Sequence, residues 1–126
     1  MRERLLGSWR LVSYETTDAH GRKGRPYGDA VGRISYDANG NMAGQVMRPD
    51  RAPATAYAGY IAYFGTFEVA PDERSVVHHV HGSLNPAWVG GDQVRSLRFD
   101  GARLILSTVT SKDGVAITHE LTWERC

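Results

Sequence analysis

The chain has 126 residues and a formal net charge of +1 at pH 7, enough for one domain over 1–126 with a single core and too short for two. Its Lys and Arg residues are dispersed rather than gathered in a basic stripe, which argues against nucleic acid, and no apolar stretch reaches membrane length. Met1 to Leu6 is charged and lacks an apolar leader core, and the one cysteine, Cys126, has no partner in the chain, so a cytoplasmic, disulfide-free protein is expected.

Read in chain order, runs of period-two alternation lie between turn signals, and glycine is spread along the whole length. The turn signals are Asp37-Ala38-Asn39-Gly40, Pro71-Asp72-Glu73, Asp100-Gly101 and Asp113-Gly114. Strands are expected near 8–16, 31–37, 41–48, 64–70, 74–82, 92–99, 102–109 and 115–124. Most are joined by hairpins, which predicts an all-β, eight-stranded antiparallel up-and-down barrel. One connection differs. Pro53 to Ile61 places Tyr57, Tyr60 and Ile61 at i, i+3 and i+4 behind a proline, which predicts one short helix over an open end of the barrel.

A Gly-x-Trp on the first strand (Gly7-Ser8-Trp9) and Trp123 on the last are what a barrel needs at its seam, with the indole plugging a closed end. Strand parity then sorts the side chains. With Trp9 inward, Leu11, Ser13 and Glu15 follow it, leaving Arg10, Val12 and Tyr14 outside. Tyr36 belongs with Gly32 and Ile34 on the inner face of the second strand. The third strand is ambiguous, with Met42, Gly44 and Val46 competing against Ala43, Gln45 and Met47. Tyr63, Gly65, Phe67 and Val69 form the apolar face of the fourth. Leu97 and Phe99 carry Arg95 and Gln93 inward, and Leu121 and Trp123 bring His119. On Val76-Val77-His78-His79-Val80-His81 the valines put His78 inward, unless a β-bulge reverses the order in favour of His79.

Arg95 and His119 inside an apolar barrel need partners, because an unpaired buried charge is costly. Glu15, Tyr36 or an anionic ligand would supply them. Two readings of the pair stand side by side: an acid–base imidazole beside an oxyanion-holding cation, or a structural Arg95–Glu15 bridge with a hydrogen-bonded histidine. His79-x-His81 puts two imidazoles on one face, but no third ligand lies nearby, so no metal and no cofactor is expected. Asn85 and Trp88 sit on a rim loop, where the indole either stacks on ligand or caps the core. No serine or cysteine lies in a nucleophile context. The outward set Val12, Tyr14 and Val94 is apolar enough to support a homodimer.

The chain resembles the bacterial and fungal lipocalin-like domain family of small calycin-type barrels. The resemblance rests on Leu5-Leu6-Gly7-Ser8-Trp9-Arg10-Leu11-Val12-Ser13, Pro26-Tyr27-Gly28, Gly40 to Met42 and Met47-Arg48-Pro49-Asp50-Arg51. Further stretches are Tyr63 to Val69, His78-His79-Val80, Ser83-Leu84-Asn85-Pro86, Trp88-Val89-Gly90 and Leu121-Thr122-Trp123-Glu124-Arg125. It implies a lipocalin-type barrel with an internal cavity. Members range from binding proteins to cofactor-free enzymes, so the fold leaves the activity open.

Two functions follow. One is a barrel binding a small, largely apolar organic ligand that carries a polar or anionic group, with Arg95, Tyr36, Gln45, Tyr63, Gln93, Asn85, Trp88 and Glu15 as contacts. The other is a cofactor-independent isomerase, cyclase or lyase acting on such a molecule. In that case His119 or His78 moves a proton and Arg95 stabilises an oxyanion.

Overall fold

The alternating runs fold as strands, and one antiparallel sheet takes them all. The computed structural model describes residues 2–53 and 57–126. A short helix, α1 (Arg2–Leu5), precedes β1 (Gly7–Asp18), β2 (Lys23–Gly24), β3 (Val31–Tyr36), β4 (Asn41–Met47) and β5 (Tyr60–Val69). Then come β6 (Ser75–Ser83), a single 3-10 turn at Pro86–Trp88, β7 (Asp92–Asp100), β8 (Arg103–Lys112) and β9 (Val115–Arg125). Neighbours in the sheet run β2-β1-β3-β4-β5-β6-β7-β8-β9, and a β1–β9 pairing closes it. The result is a closed eight-stranded antiparallel barrel, with the two-residue β2 as a ribbon on the far part of β1.

Closure removes sheet edges, and it works because β1 is long enough to serve two partners. Its first residues, Gly7 to Arg10, pair with β3, while Trp9 to Asp18 pair with β9. Two glycines are fixed by close backbone approach. A Cβ on Gly32 would stand 2.3 Å from the Gln45 carbonyl oxygen, and one on Gly65 would stand 1.8 Å from that of His79.

Two bulges set which residues face inward. On β1 the register shifts between Leu11 and Ser13, so Val12 is the extra residue. The alternation flips beyond it: Tyr14 is buried and Glu15 exposed, reversing the expected parity for both. Tyr14 therefore leaves the apolar outer set, of which Val12 and Val94 remain exposed. The second shift pairs Phe64 with Gly82 and Gly65 with Val80, leaving His81 as the extra residue on β6. It falls after His78, so His78 stays inward and His79 outward. The stretch expected as a helix differs as well. Tyr57 to Gly59 form a turn and Tyr60 and Ile61 open β5, paired with Met47 and Val46. Ala54, Thr55 and Ala56 of that stretch lie outside the described residues.

One end of the barrel is plugged. Leu5 and Trp9 are fully buried there, and the Trp9 indole N–H donates to the Leu5 carbonyl at 2.9 Å. Helix α1 is tied across the hairpin turns by Arg2 to the Ala38 carbonyl (3.1 Å) and Arg4 to the Gly101 carbonyl (2.6 Å). The guanidinium groups of Arg4 and Arg125 lie 4.0 and 4.2 Å over the rings of Phe99 and Trp9, covering the apolar plug with charge that still faces water. Above it the core runs through Tyr36, Phe67, Met42, Leu104 and Trp123.

Candidate functional site

Above that core the barrel holds a pocket of about 460 Å³. Its floor and lower wall are apolar, with Ile34, Val46, Leu106, Leu121 and Trp123. Ile61, Tyr27, Trp88 and Thr110 belong to the wall as well. The polar groups sort into three sets.

The first set is centred on His78, which is 1% exposed on β6. Tyr36 on β3 meets its Nε2 at 2.6 Å, and Tyr63 on β5 meets its Nδ1 at 2.6 Å. Tyr36 is packed edge-on against Phe67, with ring centroids 4.8 Å apart. Tyr63 stands edge-on to Trp88 at 6.1 Å and borders the pocket. Burial, reinforced by the positive charge of Arg95, pushes the His78 pKa down to about 3, so the imidazole is neutral at pH 7. Burial also raises the Tyr36 and Tyr63 hydroxyls, so both keep their protons.

The second set is centred on His119 of β9. Tyr14 Oη lies 2.7 Å from its Nδ1 and Thr110 Oγ1 lies 2.8 Å from its Nε2. Desolvation, with Arg95 again adding to it, lowers the His119 pKa. Desolvation raises Tyr14 to about 12.

Arg95 and Gln93 of β7 make the third. One Arg95 Nη donates to the Gln93 side-chain carbonyl at 2.9 Å and the other to the Val94 carbonyl at 3.0 Å. No carboxylate is among the described residues lining the pocket, and Arg95 brings its formal charge. A guanidinium fixed by two neutral acceptors keeps its charge available to whatever occupies the space beside it.

The structure thus brings Arg95, Gln93, His119, His78, Tyr63, Gln45 and Trp88 to the pocket wall. Gln45 does so although its side chain belongs to the more exposed face of β4, opposite the buried Met42 and Val46. Tyr36 stands behind the wall and touches it through His78. Two expected contacts are elsewhere. Glu15 is turned outward by the Val12 bulge, so the Arg95–Glu15 bridge does not form and Gln93 takes its place. Asn85 is exposed and caps the 3-10 turn, its Oδ1 accepting from the Ala87 N–H at 3.1 Å.

Sequence reasoning missed Tyr14, Tyr27 and Thr110. For Tyr14 a signal existed, because Val12 and Tyr14 both outside would leave an apolar outer stripe that one bulge removes. On the outer wall His79 bonds Asp92 at 2.7 Å and faces Glu68 at 3.7 Å, and the Asp92 bond raises its pKa.

A closed antiparallel barrel, plugged at one end and hollowed above into a pocket with a few convergent polar groups, defines a lipocalin-type protein. The lipocalin-like domain family matches residues 6–126, and the chain belongs to it. It is similar to the 4'-hydroxy-3'-methoxypropiophenone carrier protein of Aspergillus oryzae, at 35% identity over a stretch covering 67% of this chain and 96% of that protein. No solved structure matches the chain.

Proposed function

We propose that the protein is a small-molecule carrier whose pocket takes a compact, largely apolar aromatic ligand with one carbonyl, phenol or anionic oxygen. The carrying observation is the state of the two pocket histidines. Each has both ring nitrogens engaged by protein hydroxyls, and each is held toward neutrality. A general acid or base needs a nitrogen within reach of the substrate proton. These imidazoles serve instead as connectors that fix the hydroxyls around an apolar space. The pocket volume falls in the range of about 300–1,000 Å³ usual for small ligands. The relative named as carrier of a phenolic aryl ketone favours the same chemical class.

Titration with 4'-hydroxyacetophenone, followed by fluorescence of Trp88 and Trp123 in the pocket wall, tests this reading. Saturable one-to-one quenching with the ketone recovered unchanged is the expected result. Absence of binding to any phenolic ketone rejects it, and conversion of the ketone replaces it with the isomerase or lyase alternative.

A further inference from the structure

The chain of groups Tyr36–His78–Tyr63 has a direction, and the direction follows from counting protons. A neutral imidazole has one N–H and one lone pair. With a tyrosine hydroxyl 2.6 Å from each nitrogen, one hydroxyl donates to the ring and the other accepts from it. The accepting tyrosine keeps its own O–H to give elsewhere.

Tyr36 cannot be that one without loss. It is 2% exposed, lies behind the pocket wall against Phe67, and its hydroxyl has no other partner among the described residues. If it accepted from Nε2–H, its own proton would be buried with no acceptor, at the full desolvation cost of a polar group. Tyr63 borders the pocket, so its proton has somewhere to go. The satisfied arrangement runs Tyr36 O–H to Nε2, Nδ1–H to Tyr63 Oη, and Tyr63 O–H into the pocket.

We infer that Tyr63 is the donor that reads the ligand, its proton aimed into the pocket by Tyr36 and His78, and that its partner is an acceptor oxygen such as an aryl ketone carbonyl or an enolate. This rests on the carrier reading above. Because Tyr63 Oη already accepts from His78, a ligand meets it chiefly as a donor. The Arg95 guanidinium, which acts on Tyr63 through its charge, adds attraction for an oxygen bearing negative charge. Tyr36 and His78 are positioning residues, and neither needs to touch the ligand.

Two measurements decide it. Long-range proton–nitrogen NMR of the nitrogen-15-labelled protein reads the His78 tautomer directly. The expected state is Nδ1–H with a bare Nε2, the minority form of free histidine. An Nε2–H tautomer or an imidazolium at pH 7 overturns the inference. The second measurement compares 4'-hydroxyacetophenone with 4-ethylphenol, which has similar length and no carbonyl. The wild type is expected to prefer the ketone by about tenfold, the worth of one hydrogen bond. Tyr63→Phe should erase that preference, and a far-ultraviolet circular dichroism spectrum matching the wild type shows that the variant is folded. Equal binding of both probes to the wild type overturns the inference and leaves the carrier reading standing. Failure of both probes to bind removes the carrier reading, and the tautomer alone then decides the relay.

Discussion

Tyr14 Oη and His119 Nδ1 stand 2.7 Å apart across the β1–β9 seam, and the extra residue at Val12 is what brings them together. Without that bulge Glu15 would take the inner position and the pocket would hold a carboxylate beside Arg95. With it, the described residues lining the pocket are neutral apart from the guanidinium. The contact predicts a contrast between neighbours. Tyr14→Phe should cost about 1 kcal/mol in urea denaturation, the net worth of a part-buried hydrogen bond. Glu15→Gln, on the outer face, should stay within about 0.5 kcal/mol. The opposite ranking would place the bulge elsewhere.

Stability should fall as the pH drops below the ordinary histidine range. His78 binds fewer protons folded than unfolded between its ordinary value of 6.5 and its folded value of about 3. In that window the unfolded state gains protons that the native state refuses, so stability rises with pH. At about 1.4 kcal/mol per pH unit, His78 alone should make the protein about 2 kcal/mol less stable at pH 5 than at pH 7.5. His119, also lowered, acts in the same direction. His79 acts oppositely, since its raised pKa stabilises below the ordinary value and is lost as pH rises; being near the surface, it is a minor contributor. Urea midpoints at the two pH values measure the balance, and a flat profile would mean that His78 is protonated in the fold.

Arg95→Met should act at two distances. It keeps much of the side-chain volume and removes the charge, so an anionic ligand should lose about 1.5–3 kcal/mol of binding, the range for hydrogen bonds to charged groups. A neutral ligand of the same shape should lose much less. Arg95 also opposes protonation of His78 and His119, so the His119 NMR titration should move upward in the variant. An unmoved titration would place the guanidinium away from the imidazole.

Backbone proximity makes Gly65 irreplaceable in a way that Gly44 is not. The Gly65 Cβ position is 1.8 Å from the His79 carbonyl oxygen, a backbone atom held in the ladder. Gly65→Ala should therefore cost about 3 kcal/mol or more, at the upper end for overpacking. At Gly44 the nearest obstacle is Ile34 Cγ1 at 3.3 Å, a side chain able to give. Gly44→Ala should cost about 1 kcal/mol, well below Gly65→Ala, and narrow the pocket, reading out as weaker binding.

Trp9→Ala tests the plug. Its indole is 1% exposed and bonded to Leu5, so truncation should cost about 3–5 kcal/mol, as for other large aromatic core deletions. A loss under about 1 kcal/mol in chemical denaturation would contradict its burial.

Strands were legible because alternation and turn chemistry are local. Asp37-Ala38-Asn39-Gly40 turns as its residues suggest: the Asp37 carboxylate accepts from the Asn39 and Asn41 N–H groups, and Gly40 takes φ +88°. Parity carried Leu97 to Arg95 and Trp123 to His119 without interruption. It failed on β1 because a bulge at Val12 has no marker residue, and one extra residue inverts all that follow. Tyr60 and Ile61 read as helix because their spacing fits one, yet a ladder with Val46 and Met47 decides their state. The tyrosine–histidine contacts were illegible for the same reason. Tyr36 and His78 are 42 positions apart, and only closure of the sheet makes them neighbours.

The plug formed by α1, Trp9 and the stacked arginines also governs kinetics. A vessel stopped at one end admits and discharges its cargo at the other. Obstructing that open end slows capture and escape by the same factor and leaves the equilibrium constant where it was. Altering the grip within, at Tyr63 or Arg95, changes escape and leaves capture nearly untouched. Dwell time and affinity are therefore separately adjustable in this barrel, one at the threshold and the other in the interior.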